Sequence, residues 1–154
     1  MAGNCYVEFR ADDEGRFARL VAVVDALRAD KQAGVLTPGP KWRAYFDERA
    51  LAHFWWPTAA EAEEHARRWF ATPVPERFTD PSLVTPWEFD SLIDAFANGE
   101  YELVGVRRSG EHGRIEFCPY AFPYGGTGCM QALAEAFGFE VLEIDDGSQP
   151  PYAP

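Results

Sequence analysis

Past Arg114 the chain carries no lysine or arginine, although Glu116, Glu135, Glu140, Glu143, Asp145 and Asp146 all lie beyond it. Lysine is scarce throughout, with Lys31 and Lys41 against 12 arginines among the 14 basic residues. The net charge is −11, and more than half of it sits in the last quarter of the sequence. Affinity for phosphate backbones comes from clustered Lys and Arg, so this balance argues against nucleic-acid binding and against an anionic membrane surface. It permits a basic protein partner, and it also serves solubility.

Other absences narrow the class further. Cys5, Cys118 and Cys129 are an odd set at long spacing, which argues against a disulfide framework and suits a reducing compartment. No apolar run reaches the roughly 18 residues of a membrane helix. Residues Met1–Glu8 lack a basic stretch followed by an apolar one, so the expectation is a cytoplasmic protein. There is no CxxC, HExxH or acidic calcium loop, and no metal or other cofactor is expected. No GxSxG is present, and no serine sits in a triad context. Repeats and low-complexity tracts are also missing.

What is present is a globular composition, 47% hydrophobic and 15% aromatic over 154 residues, enough for one domain with a sizeable core. Cys5–Arg10 alternates as a strand, with Cys5, Val7 and Phe9 on one face and Tyr6, Glu8 and Arg10 on the other. Asp12 or Asp13 can cap the helix that follows, whose stripe is Phe17, Leu20, Val21, Val24 and Leu27. Gly34 and Pro38-Gly39-Pro40 break the chain. Later, Tyr101–Arg108 and Arg114–Cys118 read as strands around a polar hairpin loop, Ser109–Gly113. A helix over 128–137 and a strand over 139–145 complete the series.

The outer parts therefore follow a β-α-β-β-α-β order, an α+β fold of the ferredoxin-like, split βαβ kind. Residues 40–99 form an aromatic-rich, partly helical insertion between the first helix and the second strand. The unit spans residues 1–148, and the tail 149–154 is expected to fray. Within the insertion, Trp42–Phe46 and Ala52–Trp56 read either as two short strands around Asp47-Glu48-Arg49 or as a helix, with the hairpin slightly favoured. Thr58 with Glu61 makes a capping box for a helix over Ala59–Phe70. Thr85 with Glu88, and Pro86 at the first helical position, predict a second one for Trp87–Ala97. All five tryptophans lie between Trp42 and Trp87, so the insertion either forms a second half of the core or closes over the polar outer face of the sheet as a ligand cleft.

Two features bear on chemistry. Gly125, Gly126, Thr127 and Gly128 open the 128–137 helix, with Thr127 as its natural N-cap. Free amides at a helix start can hold a carboxylate or phosphate, though the segment is neither a P-loop nor a dinucleotide fingerprint, and a tight turn accounts for it equally. Cys129 falls in the first turn, where the helix terminus can lower a thiol pKa, making it a weak candidate nucleophile, the alternative being a small buried cysteine of the core. A base for it would be His53, which reads as packed, His65, on a charged helix face, or His112, in the hairpin loop. Two functions follow: a non-enzymatic acidic module binding a basic protein, of the inhibitor or immunity type, or a small-ligand binder or enzyme using loop 124–129 with Cys129.

Overall fold

The computed structural model describes residues 4–121 and 124–148. Strand β1 (Cys5–Arg10) leads into α1 (Glu14–Gln32), whose N-terminus is capped by the Asp13 carboxylate accepting from the Arg16 N–H at 3.0 Å. The insertion contributes a 3₁₀ turn (Pro40–Tyr45), the one-turn helix α2 (Glu48–Leu51), α3 (Ala59–Ala71), two further 3₁₀ turns (Val74–Glu76 and Pro81–Leu83) and α4 (Phe89–Asn98). Strands β2 (Tyr101–Ser109) and β3 (His112–Pro119), helix α5 (Gly128–Ala136) and strand β4 (Val141–Asp145) complete the chain.

The four strands make one antiparallel sheet in the order β2-β3-β1-β4, an α+β architecture. Pairing of Val7 with Ile115 and Cys5 with Phe117 puts Val7, Phe9, Ile115 and Phe117 on one fully buried face. Leu20, Val23, Val24 and Leu27 of α1 and Met130 and Leu133 of α5 are buried in the same cluster. Alternation along the strand turns Cys118 away from Cys5, and the cysteines are free thiols.

Ser109 pairs directly with His112, so the hairpin closes through Gly110-Glu111 and not through a five-residue loop. Gly110 takes φ 60° as the first central residue of the turn, a conformation open to glycine at little cost. Ahead of the edge strand β4, Gly138 (φ 86°) ends α5. Its N–H donates to Glu135 O at 2.9 Å and that of Phe139 to Ala134 O at 3.1 Å, a Schellman closure. This exit uses residues 139–140, which is why β4 starts at Val141.

The 42–56 segment is not a hairpin. Pro40 begins a 3₁₀ turn, and the Asp47 carboxylate caps α2 by accepting from Ala50 N–H at 2.8 Å. The aromatic side chains then point inward: Phe46 stacks on Phe137 at 5.2 Å and meets Phe89 edge-on at 4.9 Å, and Phe54 meets Phe89 at 5.2 Å. This part of the insertion packs on the helix side of the sheet and leaves the polar outer face open. The Thr58–Glu61 capping box forms in both directions. The second one does not. Trp55 N–H donates to Trp87 O at 2.8 Å in a bridge that holds residues 87–88 extended, so α4 starts at Phe89 with Glu88 as its N-cap.

Arg16 joins these pieces. Its guanidinium donates to Asp47 Oδ2 at 2.8 Å and to the Phe137 carbonyl at 2.5 Å, from a position where its side chain is 12% exposed. The Ala50 N–H, with Arg16 beside it, holds the Asp47 carboxyl below its ordinary value. A pKa depressed on folding means that the unfolded chain binds the proton more readily. The resulting stability is full above the unfolded value near 3.9 and is lost as pH falls through the folded one.

Two outcomes are expected. Phe46→Ala lowers stability by about 3–5 kcal/mol in urea unfolding, within one transition, because the ring fills the joint between insertion and α5; a loss under 1 kcal/mol would refute this packing role. Asp47→Asn keeps a capping side chain but loses the ion pair, so it is less stable than wild type at pH 7 and the gap narrows below about pH 4. An unchanged gap down to pH 2 would contradict the assignment.

Candidate functional site

The inner end of the insertion is buried, but its outer end is not. Helix α3 buries none of its residues. Phe70 is 73% exposed and Phe78 82%, with Val74, Val84, Trp56 and Trp87 also exposed. The lobe is nonetheless ordered by specific contacts. His65 Nε2 lies 3.0 Å from Leu83 O, an atom that can only accept, so Nε2 carries the proton. The His65 ring sits 5.3 Å from that of Trp55 and 6.4 Å from that of Trp69. His65 is thus half-buried between indoles and not solvated on a charged face. Trp69 meets Phe78 edge-on at 5.2 Å, and the Arg77 guanidinium lies 5.6 Å from the Phe70 ring centre.

Beside this surface lies a groove of about 390 Å³ lined by Arg43, Trp55, Trp56, Glu88, Phe89 and Asp90. The Trp55–Glu88 bridge fixes one wall. Trp56 is fixed by its indole N–H donating to Leu51 O at 2.7 Å and by stacking on Phe89 at 5.5 Å. Arg43 lies over the Trp56 ring, 5.1 Å from its centre. Among the described residues neither Glu88 nor Asp90 pairs with a cation, and the Glu88 side chain makes no capping bond to α4. Two indoles beside two unpaired carboxylates suit a cation: the ring faces attract it and the carboxylates offset its lost hydration. Sequence reasoning missed this site because it placed Trp55 and Trp56 in a strand and Glu88 inside a capping box. The available signal was the Trp-Trp-Pro run ahead of the Thr58 cap.

The glycine-rich segment is described from Tyr124 onward. Gly125 (φ 103°) and Gly126 (φ 85°) make a turn that only glycine adopts readily. Tyr124 is buried, its hydroxyl donating to Asp146 O at 2.8 Å and its carbonyl accepting from Glu100 N–H at 2.9 Å. Thr127 sits at the N-cap position, but its hydroxyl accepts from Gln131 Nε2 at 2.9 Å instead of capping a helix N–H. A side chain at Gly128 would come within 3.2 Å of Trp87, so glycine there lets the indole lie against α5. The loop thereby ties β2, α5 and the end of β4 together.

Cys129 is buried, with its Sγ 3.6 Å from Tyr101 Oη. Burial pushes its pKa up to about 11, outweighing the lowering by the Tyr101 hydrogen bond and the helix amides. This reverses the direction expected for a nucleophile at a helix start. None of the three histidines shares a hydrogen bond or ring contact with it. His53, expected to be packed, is exposed and lines a cavity of about 260 Å³ with Trp87, Gly128, Gln131 and Glu135. His112 belongs to β3, with Nδ1 3.4 Å from Glu8.

On the open face of the sheet a third cavity, of about 290 Å³, is lined by Glu8, Arg107, Arg108, His112 and Arg114. Its charges answer one another: Glu8 holds Arg114 at 2.8 Å, Glu116 holds Arg107 at 3.1 Å and Glu14 holds Arg108 at 2.7 Å. The hydrogen bond from Arg114 keeps the Glu8 carboxyl below its usual value. Among the described residues no group of three or more His, Cys, Asp or Glu side chains is placed to hold a metal ion, and no helix is long and apolar enough to cross a membrane.

Compared with family models, curated proteins and solved structures, the chain matches none.

The thiols give a direct check. Iodoacetamide at pH 8 is expected to label exposed Cys118 first and to reach Cys129 only when the protein is unfolded in urea, as read by mass spectrometry. Fast labelling of Cys129 in the native protein would restore it as a nucleophile.

Proposed function

We propose that this chain is a non-enzymatic, acidic protein-interaction module on a split βαβ, ferredoxin-like frame, with residues 40–99 as its docking lobe for a basic protein. The frame is supported by the element order β1-α1-β2-β3-α5-β4 and the all-antiparallel order β2-β3-β1-β4. The function is carried by one observation: an ordered lobe exposes Trp56, Phe70, Val74, Phe78, Val84 and Trp87, while Val35, Tyr120 and Leu142 are the large exposed apolar residues elsewhere among the described residues. Contiguous apolar surface with a polar rim marks an interaction site. Residues 40–99 as a whole are acidic, with ten Asp and Glu against six Lys and Arg. Aromatic anchors supply affinity at such a face, and the overall charge of −11 speeds encounter with a positive partner. An inhibitor or immunity-type protein fits this description.

A second reading rests on the cavity at Gly128. Its lining by His53, Trp87, Gln131 and Glu135 supports a small-ligand pocket at the end of the 124–129 loop, without Cys129.

The test is capture from a lysate of the source cell at 50 mM and 500 mM salt, followed by the double variant Phe70→Ser/Phe78→Ser. A basic protein held at low salt, released at high salt and bound at least tenfold more weakly by the variant is the expected result. The variant should melt within about 4 °C of wild type, since both side chains are mostly in water and lose only the Trp69 edge contact and the Arg77 contact. A partner that binds the variant and wild type equally would remove the lobe from the interface.

A further inference from the structure

The groove beside the exposed lobe identifies what kind of side chain the partner presents. We propose that the groove of Trp55, Trp56, Glu88 and Asp90 is a receptor for an arginine side chain of the partner, and that Arg43 is a resident cation displaced when it binds. This rests on the reading that the partner is a basic protein, and it adds the site and the residue type.

Three observations converge. First, the face of Trp56 already holds a guanidinium, that of Arg43, 5.1 Å from the ring centre. The chain thus supplies its own example of the chemistry the indole accepts. Second, the Arg43 side chain is exposed and, among the described residues, its guanidinium makes neither an ion pair nor a hydrogen bond, so the Trp56 ring is the contact that retains it. Third, Glu88 and Asp90 line the same groove without a cation of their own among the described residues, and Glu88 is not engaged as a helix cap. A volume of about 390 Å³ exceeds what one guanidinium needs and admits the aliphatic stem with it.

Arginine suits the groove better than lysine for two reasons. A planar guanidinium stacks on an indole face and is more weakly hydrated than an ammonium, so it loses less on leaving water. It also carries enough donors to reach both carboxylates while stacked. Other cavities carry acidic groups that are already engaged: in the one lined by Trp55, Glu61, Glu64 and His65, Glu61 accepts from the Thr58 N–H and Glu64 holds Arg67 at 2.6 Å. The cations at the open sheet face already hold their carboxylates, and the cavity at Gly128 has Glu135 as its one acidic group.

The experiment uses the full chain and capped tetra-arginine, with tetra-lysine and tetra-citrulline peptides of the same length. Binding is followed by NMR at 20 mM salt through the indole N–H signals of Trp55 and Trp56. The expected result is saturable shifts at both, several-fold weaker binding of tetra-lysine and none of tetra-citrulline. Arg43→Gln should tighten tetra-arginine binding about threefold by vacating the ring, whereas Glu88→Gln/Asp90→Asn should weaken it about tenfold. Neither variant touches a buried side chain, so both should fold, and the tightening by Arg43→Gln cannot arise from damage. Equal binding by wild type and the double carboxylate variant, with shifts elsewhere, would overturn the groove while leaving the basic-partner reading intact. No binding of any basic peptide or protein at 20 mM salt would overturn both.

Discussion

The structure turns on a guanidinium with little exposure to water. Arg16 lies in the first turn of α1 and reaches a carboxylate at the start of α2 and a carbonyl at the end of α5. Three segments distant in sequence are thereby fixed at one point. The arrangement holds because each partner is otherwise committed to the site: Asp47 caps α2, and the Phe137 ring lies under Arg16 at 5.7 Å and stacks on Phe46. A largely desolvated guanidinium is stable only while its hydrogen bonds are made, so loosening any of the three segments strands the charge. The insertion is consequently part of the same core as the sheet.

That joint explains how one insertion can have two characters. Near Arg16 its rings are enclosed, as Phe46, Phe54 and Phe89 are all buried. Beyond Trp55 the chain turns outward, and α3 is held by its capping box and by His65 on the Leu83 carbonyl, while Arg68 donates to Ser82 O at 3.2 Å. Polar contacts to backbone fix the lobe's position without covering its apolar side chains. Order already present would reduce the entropy lost if this surface associates with a partner.

The frame was legible in the sequence because period-2 and period-3.6 patterns report burial directly. Val7 and Phe9 alternate with Tyr6 and Glu8, Leu20, Val24 and Leu27 recur along α1, and each lies on the predicted face. The Thr58–Glu61 box was legible too, since its two bonds are local. What the sequence concealed was set by contacts remote in the chain. Pro40 and the Asp47 cap override the β-prone aromatics of 42–56, and the Trp55–Glu88 bridge overrides the Thr85–Glu88 box. The environment of Cys129 was hidden for a similar reason. Its place in the helix is local information, but Tyr101 and the surrounding core that raise its pKa come from elsewhere.

The displaced capping box also bears on the candidate site. Many acidic side chains here are committed: Asp13 and Asp47 cap helices, Asp80 holds Ser82, and Glu8, Glu14 and Glu116 answer arginines. Had Thr85 capped a helix from Trp87, Glu88 would have been the N3 residue, its carboxylate turned back to the helix start. The bridge from Trp55 prevents this by keeping residues 87–88 extended. The same backbone hydrogen bond therefore places an indole at the groove and leaves a carboxylate beside it uncommitted. Net negative charge alone would draw a basic partner to any part of this surface. A free carboxylate next to a fixed aromatic face selects one part of it.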